Sequence, residues 1–385
     1  MNFNLDSISR LSDIYNWKFF SIFRNNNTQE IELRINRILG RLVKKKYQIL
    51  TPSGRSAVYI LAKYLSDKDK RTNIIIPAFT CVVVPNSVKA AGHELRYCDI
   101  DVDTLSLNLD HLDSIVDENT KAIIVQHVLG FTDKQIKIIR DRYKGVFIIE
   151  DCAHSLMVKY SDQSSFTGSL GDAAFFSFDH TKSATCFGGG ALLTNNEDVY
   201  KYADKMLQSL KNSGFLNEVY IFIKYTLIFL LHTGEKTLLK KILFAAAVRI
   251  LRLKPTMTSK ELQGDYVFTE QNRLGVWRIK LLYFQLLRRN SVARIRCRNF
   301  KILNEIFSNY DGEALPALRY MVFKSQVTGH KMYNHMGNWF SSPIHPIKDR
   351  FHLFDYTMGS CPNAEWLADN VLNIPTGPRT NINVW

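Results

Sequence analysis

The chain has 385 residues, with 46% hydrophobic and 22% charged residues and a formal net charge of +14. This composition is typical of a soluble globular protein with two or three structural units around a sizeable core. The positive charge favours an anionic partner, which can be a phosphorylated ligand, a nucleic acid or an acidic membrane surface. Because the sequence has no zinc finger, RNP-like aromatic motif or arginine-rich tail, we expect no nucleic-acid partner.

The six cysteines are scattered, without a C-x-x-C pair or a His/Cys cluster at metal-ligand spacing. This pattern argues against a disulfide framework and against a zinc site, and it favours a reducing compartment. The N-terminus lacks an apolar core after a basic start, so we expect no signal peptide and a cytoplasmic location.

Residues 1–50 carry apolar positions at helical spacing and are predicted to form an N-terminal helical segment. From 51 to 210, short apolar runs alternate with amphipathic stretches, which is the pattern of a mostly parallel sheet covered by helices on both faces. In such sheets ligands bind beyond the carboxyl ends of the strands, so the residues that follow the strands are candidates for a site. The strands are predicted at 73–79, 121–128, 146–151 and 173–178, and helices at 107–116 and 132–143.

Residues 211–262 are predicted to form an insertion of apolar and basic helices. Within 218–255, the first apolar run is interrupted by Lys224 and is too short for a confident transmembrane span. Two interpretations stay open: packing against the protein or a partner subunit, and peripheral membrane contact through a basic, apolar face. Residues 263–385 are predicted to form a smaller C-terminal domain, with a long helix around 272–300.

Three short stretches at predicted strand ends or helix starts carry polar residues. SGRSA (53–57) places serine hydroxyls at a helix start, where backbone N–H groups bind anions, although the same residues make an ordinary N-cap. IIEDCAHS (148–155) ends a strand in two carboxylates, of which at most one faces a given pocket. The stretch 175–190 holds Lys182 between an aromatic strand and three glycines. Taken singly, each of these features has a structural explanation.

Together, the three stretches supply what pyridoxal phosphate needs from a protein. A lysine binds its aldehyde as a Schiff base, an aspartate keeps its ring nitrogen protonated, and hydroxyls and helix amides bind its phosphate. An opposing carboxylate shifts the pKa of a buried partner by roughly 1–3 units, or about 1.4–4 kcal/mol in favour of the pyridinium. Desolvation beside a cationic group lowers the pKa of a lysine and makes it a competent nucleophile.

With these motifs the sequence resembles the sugar aminotransferases of the DegT/StrS type, a branch of the fold-type I pyridoxal-phosphate enzymes. The resemblance covers about residues 50–205 and, more weakly, 265–378. It implies a mostly parallel sheet flanked by helices, with a smaller C-terminal α+β domain. The motifs follow the family's order: SGRSA (53–57), IIIPAFTCVVVPNSV (74–88), CDIDVDTLSLN (98–108), VQHVLGF (125–131), IIEDCAHS (148–155), SLGDAAFFSFDHTKSATCFGGGALLTNN (169–196) and GSCPNAEWLADNVLNIPTGPR (359–379).

Position by position, the resemblance makes Lys182 the catalytic lysine and Asp151 the partner of the ring nitrogen. Ser177, five residues before the lysine as in the family, would bind the phosphate. His154 stands where the family usually has glutamine, and it can still donate a hydrogen bond to the phenolic oxygen of the ring. Cys81, also a cofactor contact by this resemblance, stands where the family often has a stacking aromatic, so either Phe79 or another ring replaces it or the cofactor is held more loosely. The further cofactor contacts implied by the resemblance are Arg55, Ser56 and Ala57.

The implied reaction is a transamination from glutamate to a keto group of a nucleotide-linked sugar, with Lys182 as the acid and base of the proton shift. Family members are homodimers with active sites at the subunit interface, and they make amino sugars for surface polysaccharides such as O-antigen or for secondary metabolites. Two alternatives stay open: a keto substrate that is not nucleotide-linked, and a catalytically degenerate, membrane-docked member. A related sugar dehydratase would have histidine in place of Lys182, so the lysine speaks against that reaction.

Overall fold

The computed structural model describes residues 22, 27–68, 71–162, 165–232, 257–265, 272–311, 313–327, 336–378 and 380. Parts of the predicted N-terminal segment (1–21) and of the predicted insertion (233–256) lie outside the described residues. The strands are β1 (Tyr47–Thr51), β2 (Asn73–Pro77), β3 (Thr80–Cys81), β4 (Glu94–Cys98), β5 (Thr120–Gln126), β6 (Phe147–Asp151), β7 (Ala173–Ser177), β8 (Gly190–Thr194), β9 (Arg319–Phe323), β10 (Ile344–His345) and β11 (Val371–Pro375). The α-helices are α1 (Thr28–Val43), α2 (Gly54–Ser66), α3 (Val83–Ala90), α4 (Leu109–Ile115), α5 (Ile136–Arg142), α6 (Glu197–Gln208), α7 (Phe215–His232), α8 (Val276–Leu287), α9 (Arg289–Phe307), α10 (Lys324–Val327) and α11 (Pro362–Asn370).

Seven strands form the central sheet, in the order β1-β8-β7-β6-β5-β2-β4. The strands from β7 to β4 are parallel to their neighbours, whereas β8 is antiparallel to both β1 and β7. The four apolar runs predicted as strands form β2, β5, β6 and β7. Every residue of β2 and β5 is buried, as expected for parallel strands covered on both faces. The prediction of an α/β fold with a mostly parallel sheet is therefore confirmed.

Successive residues of a strand face different helical layers because strand side chains alternate in direction. On one face, Ile124 of β5 joins a core that includes α2, α3, β9 and β11. On the other face, Ile123 and Val125 join a core with α4 and α5. Towards β8, Phe176 of β7 packs in a core that includes α1 and α8. The sheet is thus buried between helices on both sides.

The single long helix predicted around 272–300 is wrong, because two helices, α8 and α9, meet at Arg288. The N–H of Arg288 bonds the carbonyls of Gln285 and Leu286, which tightens the chain at the end of α8. This local tightening does not interrupt the helical spacing of apolar residues before and after Arg288. The sequence pattern alone therefore predicts one helix.

The C-terminal part of the chain adds two short strand pairs. β9 pairs antiparallel with β11, with Tyr320 opposite Ile374. β10 pairs parallel with β3, which places His345 beside Cys81 across a long sequence separation. This second pair brings the C-terminal part to the sheet edge where β2 ends.

Among the described helices, none is long and apolar enough to cross a membrane. The helix α7 begins inside the predicted insertion, at Phe215. The segment boundaries predicted after residues 50, 210 and 262 stay predictions.

Candidate active site

The candidate site lies beyond the carboxyl ends of β1, β6 and β7. The sheet register places Thr51 of β1 and Ser177 of β7 opposite the same residue of β8, Gly190. Asp151 is the last residue of β6 and pairs with Phe175 of β7. The topology therefore brings the three polar stretches of the sequence to one edge of the sheet, where α/β proteins bind ligands.

The start of α2 forms a small polar cradle with the end of β7. The Oγ of Ser53 accepts a hydrogen bond from the N–H of Ser56 at 3.1 Å and lies 2.7 Å from the Oγ of Ser56. Ser177 packs on Gly54, since a Cβ at Gly54 would lie 2.9 Å from the Cβ of Ser177 and 3.2 Å from its Oγ. Three hydroxyls and the positive end of a helix dipole thus meet at a glycine, an arrangement suited to a phosphate.

Two further residues of α2, Arg55 and Ala57, were predicted to contact the cofactor, and both make contacts within the protein. The guanidinium of Arg55 forms an ion pair with Glu261, whose side chain is 3% exposed. Ala57 is buried in the core, and its N–H donates to the carbonyl of Ser53 at 3.3 Å. The predicted roles of Arg55 and Ala57 in cofactor binding stay predictions.

Lys182 lies in the turn between β7 and β8, where its N–H donates to the carbonyl of Asp179 at 3.0 Å. Its Nζ is 5.4 Å from the ring centroid of Trp339. Burial lowers the pKa of the Lys182 ammonium, although the nearby Cys81, Asp179 and Asp151 oppose the shift. A lysine whose pKa is lowered in this way is more often unprotonated at neutral pH, which a nucleophile requires.

Asp151 is 6% exposed. Burial raises the pKa of its carboxyl to about 6. The hydrogen bond from the N–H of Ala153 and the charges of Lys182 and His127 lower the pKa and so limit this rise. The hydrogen bond from Ala153 is 2.9 Å long. Near neutral pH the carboxyl is therefore mostly ionised, and a buried carboxylate is stable only beside a positive partner.

The neighbouring carboxylate, Glu150, points to the other face of β6 and serves the structure. It forms a group with His127 and Cys152 whose ligand atoms lie within 4.8 Å of one another, as in some metal sites. However, protein donors already bond both oxygens of Glu150, so the group supports the end of β6. The donors are His127, Tyr160, Gly168, Leu170 and Gly171.

His154 lies beside the site with its ring edge-on to Trp339, at 5.6 Å between ring centroids. Its Nδ1 accepts a hydrogen bond from the N–H of Leu129 at 3.2 Å, so Nε2 carries the ring proton. Burial, followed by the charge of Lys182, lowers the pKa of His154 well below its usual value. The side chain is therefore a neutral imidazole with an N–H to donate, as its predicted role requires.

The sequence analysis missed an aromatic residue next to Lys182. Phe79, the ring suggested in place of an aromatic at Cys81, is 2% exposed and packs on Phe340 at 4.9 Å between centroids. Trp339 is partly exposed and lies close to Lys182. Cys81 itself is partly exposed, and burial raises the pKa of its thiol. Trp339 is therefore better placed than Phe79 to supply the aromatic face that Cys81 lacks.

A second cation, Arg319, was also missed. It begins β9, is 3% exposed, and its guanidinium carbon lies 4.3 Å from the ring centroid of Trp339. Its charge contributes to the lowered pKa of both Lys182 and His154. Arg319 thus adds a second cation to a site that also holds the carboxyls of Asp151 and Asp179. No local motif marks Arg319, because the folding of the C-terminal part brings it to the site.

The described part of the predicted insertion packs against the loop that carries Lys182. Tyr225 of α7 stacks on Phe187 with ring centroids 4.7 Å apart. Glu218 of α7 accepts a hydrogen bond from the Nε of Arg278 at 3.1 Å, and both side chains are buried. Of the two open interpretations, packing against the protein therefore holds for this helix.

Fold and site together define an α/β protein in which a partly buried lysine, a buried aspartate and a polar helix start lie at one edge of the sheet. The sequence model of the DegT/DnrJ/EryC1/StrS aminotransferase family matches residues 22–255. Because this match covers more than half of the chain, the chain belongs to that family, and the resemblance noted from the motifs is confirmed.

Three known proteins show the extent of the similarity. An uncharacterised protein of Methanocaldococcus jannaschii is 24% identical over 370 residues, which cover 90% of this chain and 85% of that protein. GDP-perosamine synthase of Escherichia coli O157:H7 is 28% identical over 158 residues, or 40% of this chain and 42% of that protein. The crystal structure of a DegT DnrJ EryC1 StrS aminotransferase from Brucella abortus has a TM-score of 0.67 at 18% identity, over 94% of this chain and 88% of that one. At this identity the structural likeness establishes the shared fold.

The chain is thus an aminotransferase, and its cofactor is pyridoxal phosphate. The residues present fit that cofactor. The hydroxyl-lined start of α2 suits its phosphate, and Gly54 keeps clear the space that a Cβ would fill beside Ser177. The buried carboxyl of Asp151 suits a protonated ring nitrogen, and the side chain of Lys182 carries an amine suited to the aldehyde.

Proposed function

We propose that this enzyme transfers an amino group from glutamate to a keto group of a nucleotide-linked sugar, for amino sugars of a surface polysaccharide or a secondary metabolite. The observation that carries the proposal is that Lys182, Asp151 and the cradle of Ser177 and Gly54 lie at one edge of the sheet. Membership of an aminotransferase family supports the transfer itself. The relative named GDP-perosamine synthase supports a nucleotide-linked sugar as the acceptor.

In this proposal the chain holds the cofactor at both ends. Ser177, Ser56 and the first turn of α2 bind the phosphate, and Asp151 keeps the ring nitrogen protonated. His154 donates from Nε2 to the phenolic oxygen, and Trp339 covers a face of the ring. When bound, pyridoxal phosphate supplies an electron-withdrawing ring that carries the amino group between donor and acceptor.

Lys182 both anchors the cofactor and moves the proton. Burial lowers its pKa, so that the free amine is available to accept a proton and return it during the transfer. The carboxylates of Asp151 and Asp179 counteract the lowering and keep the protonated form accessible as well. An acid and base that works near neutral pH needs this balance.

Arg319 provides the positive charge for substrate binding. Its guanidinium is held near Trp339 at the side of the site formed by the C-terminal part of the chain. Both proposed substrates are anionic, because glutamate carries carboxylates and a nucleotide-linked sugar carries a diphosphate. A fixed cation beside the reactive lysine attracts either of them.

The first experiment concerns the cofactor. Wild type purified with pyridoxal phosphate and freed of excess should retain the visible absorption of the covalently bound cofactor, and Lys182→Ala should lose it. Lys205→Ala, at an exposed position of α6, serves as the matched control and should keep the absorption. If wild type binds no chromophore, the site is degenerate and the alternative of a non-catalytic family member takes the place of the proposal.

The second experiment concerns the substrates. Holoenzyme mixed with glutamate should release one equivalent of 2-oxoglutarate per subunit, and a keto sugar nucleotide should then accept the amino group. The same keto sugar without its nucleotide serves as the comparison, with amination measured by mass spectrometry. Equal rates with both acceptors would favour the alternative of a substrate that is not nucleotide-linked.

We also propose a cytoplasmic homodimer with shared active sites. Since α7 packs against the protein through Glu218 and Tyr225, the peripheral membrane contact that we propose for 218–255 involves the residues beside this packed face of α7. Phe215 and Leu216 at the start of α7 are 66% and 80% exposed, next to this segment. Flotation with acidic vesicles should therefore decrease in the variant Phe215→Ser/Leu216→Ser. The control is Leu33→Ser, at a position of α1 that is 63% exposed. If wild type does not float, or if all variants float equally, the membrane contact is refuted.

A further inference from the structure

A cavity lies at the edge of the sheet opposite the candidate active site, at the amino ends of β5, β6 and β7. It has a volume of about 720 Å³, within the usual range for small-molecule sites. Its wall includes Lys121 of β5, Phe147 of β6 and Asp172, which directly precedes β7. Since Asp151 and Ser177 end β6 and β7, this cavity is separated from the active site by the length of the strands.

Positive charge dominates the described wall of this cavity. Six of its residues are cationic and one, Asp172, is acidic. The cations come from six separate positions, before or at the start of strands and near helix ends, and the fold brings them together. A concave surface with one predominant sign of charge concentrates ions of the opposite sign. The six cations are Lys45, Lys68, Arg71, Lys121, Arg140 and Lys144.

Several of these cations are fixed in place. Lys45 is 6% exposed and its Nζ donates to the carbonyl of Gly171, while burial lowers the pKa of its ammonium. The guanidinium of Arg71 donates to the carbonyl of Gly145 at 2.9 Å. Lys121 is 3% exposed. Cations that the fold already holds in place lose less entropy when an anion binds.

The rest of the wall offers rings and amides. Aromatic side chains provide flat apolar surface for stacking, and carboxamides provide both donors and acceptors. Such groups suit a planar, polar ring system. These residues are Tyr64, Tyr143, Phe147, Asn195 and Asn196.

We propose that this cavity binds a diphosphate or triphosphate group, carried by a nucleotide or present as free polyphosphate, at a site separate from the active site. A chain of phosphates places negative charges near several of the six cations at once, which a monoanion does not. The rings and amides favour the nucleotide of the two sources. This inference does not depend on the transamination proposed above.

Calorimetric titration of the holoenzyme at 0.15 M salt tests the proposal, with ATP and tripolyphosphate as the two probes. Holoenzyme is used because the cofactor then fills the phosphate cradle of the active site. The test variant replaces three exposed cations of the cavity, and the control replaces three exposed cations elsewhere, with the same change in net charge. The test variant is Lys68→Gln/Arg140→Gln/Lys144→Gln, and the control is Lys134→Gln/Arg298→Gln/Lys301→Gln.

We expect both wild type and control to bind at least one probe, and the test variant to bind it at least tenfold more weakly. Tighter binding of ATP than of tripolyphosphate identifies a nucleotide site, and equal binding identifies a polyphosphate site. Failure of wild type to bind either probe overturns the proposal. So does equal binding by the test and control variants, because the anion is then attracted by net charge or held at another site.

Discussion

The contact between Gly54 and Ser177 provides a sharp test of the phosphate cradle. In Gly54→Ala the added methyl carbon would lie 2.9 Å from the Cβ of Ser177 and 3.2 Å from its Oγ. Ordinary contacts begin near 3.4 Å, and rotation of the Ser177 side chain does not move its Cβ, so Ser177 or the start of α2 must shift by a few tenths of an ångström. Alanine is otherwise well tolerated here, because it favours the helix more than glycine does. The substitution therefore disturbs the cradle more than the fold.

The expected size of the effect follows from the hydrogen bond at risk. A hydrogen bond from a hydroxyl to a charged phosphate contributes about 1.5–3 kcal/mol, or roughly 10- to 150-fold in affinity. We expect Gly54→Ala to raise the Kd for pyridoxal phosphate at least about tenfold, while the free energy of unfolding of the cofactor-free chain changes by less than about 1 kcal/mol. Fluorescence titration measures the first quantity and urea unfolding the second.

Two controls separate this explanation from a general weakening of the protein. Gly214→Ala adds a methyl group with nothing within 4 Å, and it should leave the affinity for the cofactor unchanged. Combining Gly54→Ala with Ser177→Gly should weaken binding little more than Ser177→Gly alone, because Ser177→Gly removes both the hydroxyl and the Cβ that the added methyl group meets. If Gly54→Ala binds the cofactor as tightly as wild type, Ser177 does not belong to the phosphate site.

Two further predictions concern buried charges. The carboxyl of Asp151 has a pKa of about 6 in the folded, cofactor-free chain against 3.8 for an ordinary aspartate, so stability should fall as the pH rises from 4 to 6. Asp151→Asn should remove this slope, stabilise the cofactor-free chain at pH 7 by on the order of 3 kcal/mol in urea unfolding, and abolish transamination. The control is Asp133→Asn, at another buried carboxyl with a pKa of about 6. It should also reduce the dependence of stability on pH, but it should keep activity. Equal loss of activity in the two variants would contradict the role of Asp151. Glu218→Gln breaks the buried ion pair with Arg278 and should lower the free energy of unfolding by about 3 kcal/mol or more, whereas Glu305→Gln, at an exposed position, should have little effect; similar values for both would refute the importance of the pair.

The central sheet could be predicted from the sequence because its strands are buried on both faces. A strand such as β5 then consists of a nearly continuous apolar run, which stands out from the amphipathic helices around it. The meeting of three polar stretches at one edge of the sheet could be predicted for a related reason. Asp151, Ser177 and Ser53 each follow or end their own strand, and parallel strands deliver such residues to a common edge.

The remaining site residues could not be predicted because their positions depend on contacts between distant parts of the chain. Trp339 lies close to Lys182 because β10, shortly after it in the chain, pairs with β3, and two-residue strands leave no periodic pattern in the sequence. Arg319 reaches it as the first residue of β9, where its sequence context is that of an ordinary surface cation. The ion pair between Arg55 and Glu261 likewise joins two segments that no motif connects.

The same argument explains what the net charge could and could not indicate. A charge of +14 favours an anionic partner, but it does not specify a location. Lys45, Arg71 and Lys121 precede or begin strands that are otherwise apolar, so in the sequence each resembles a solvated residue at a strand end. The parallel register that collects Asp151 and Ser177 at one edge necessarily collects these cations at the other. A parallel sheet therefore creates two places where scattered residues converge, and in this chain the amino edge carries a concentration of positive charge that the chemistry at the carboxyl edge does not require.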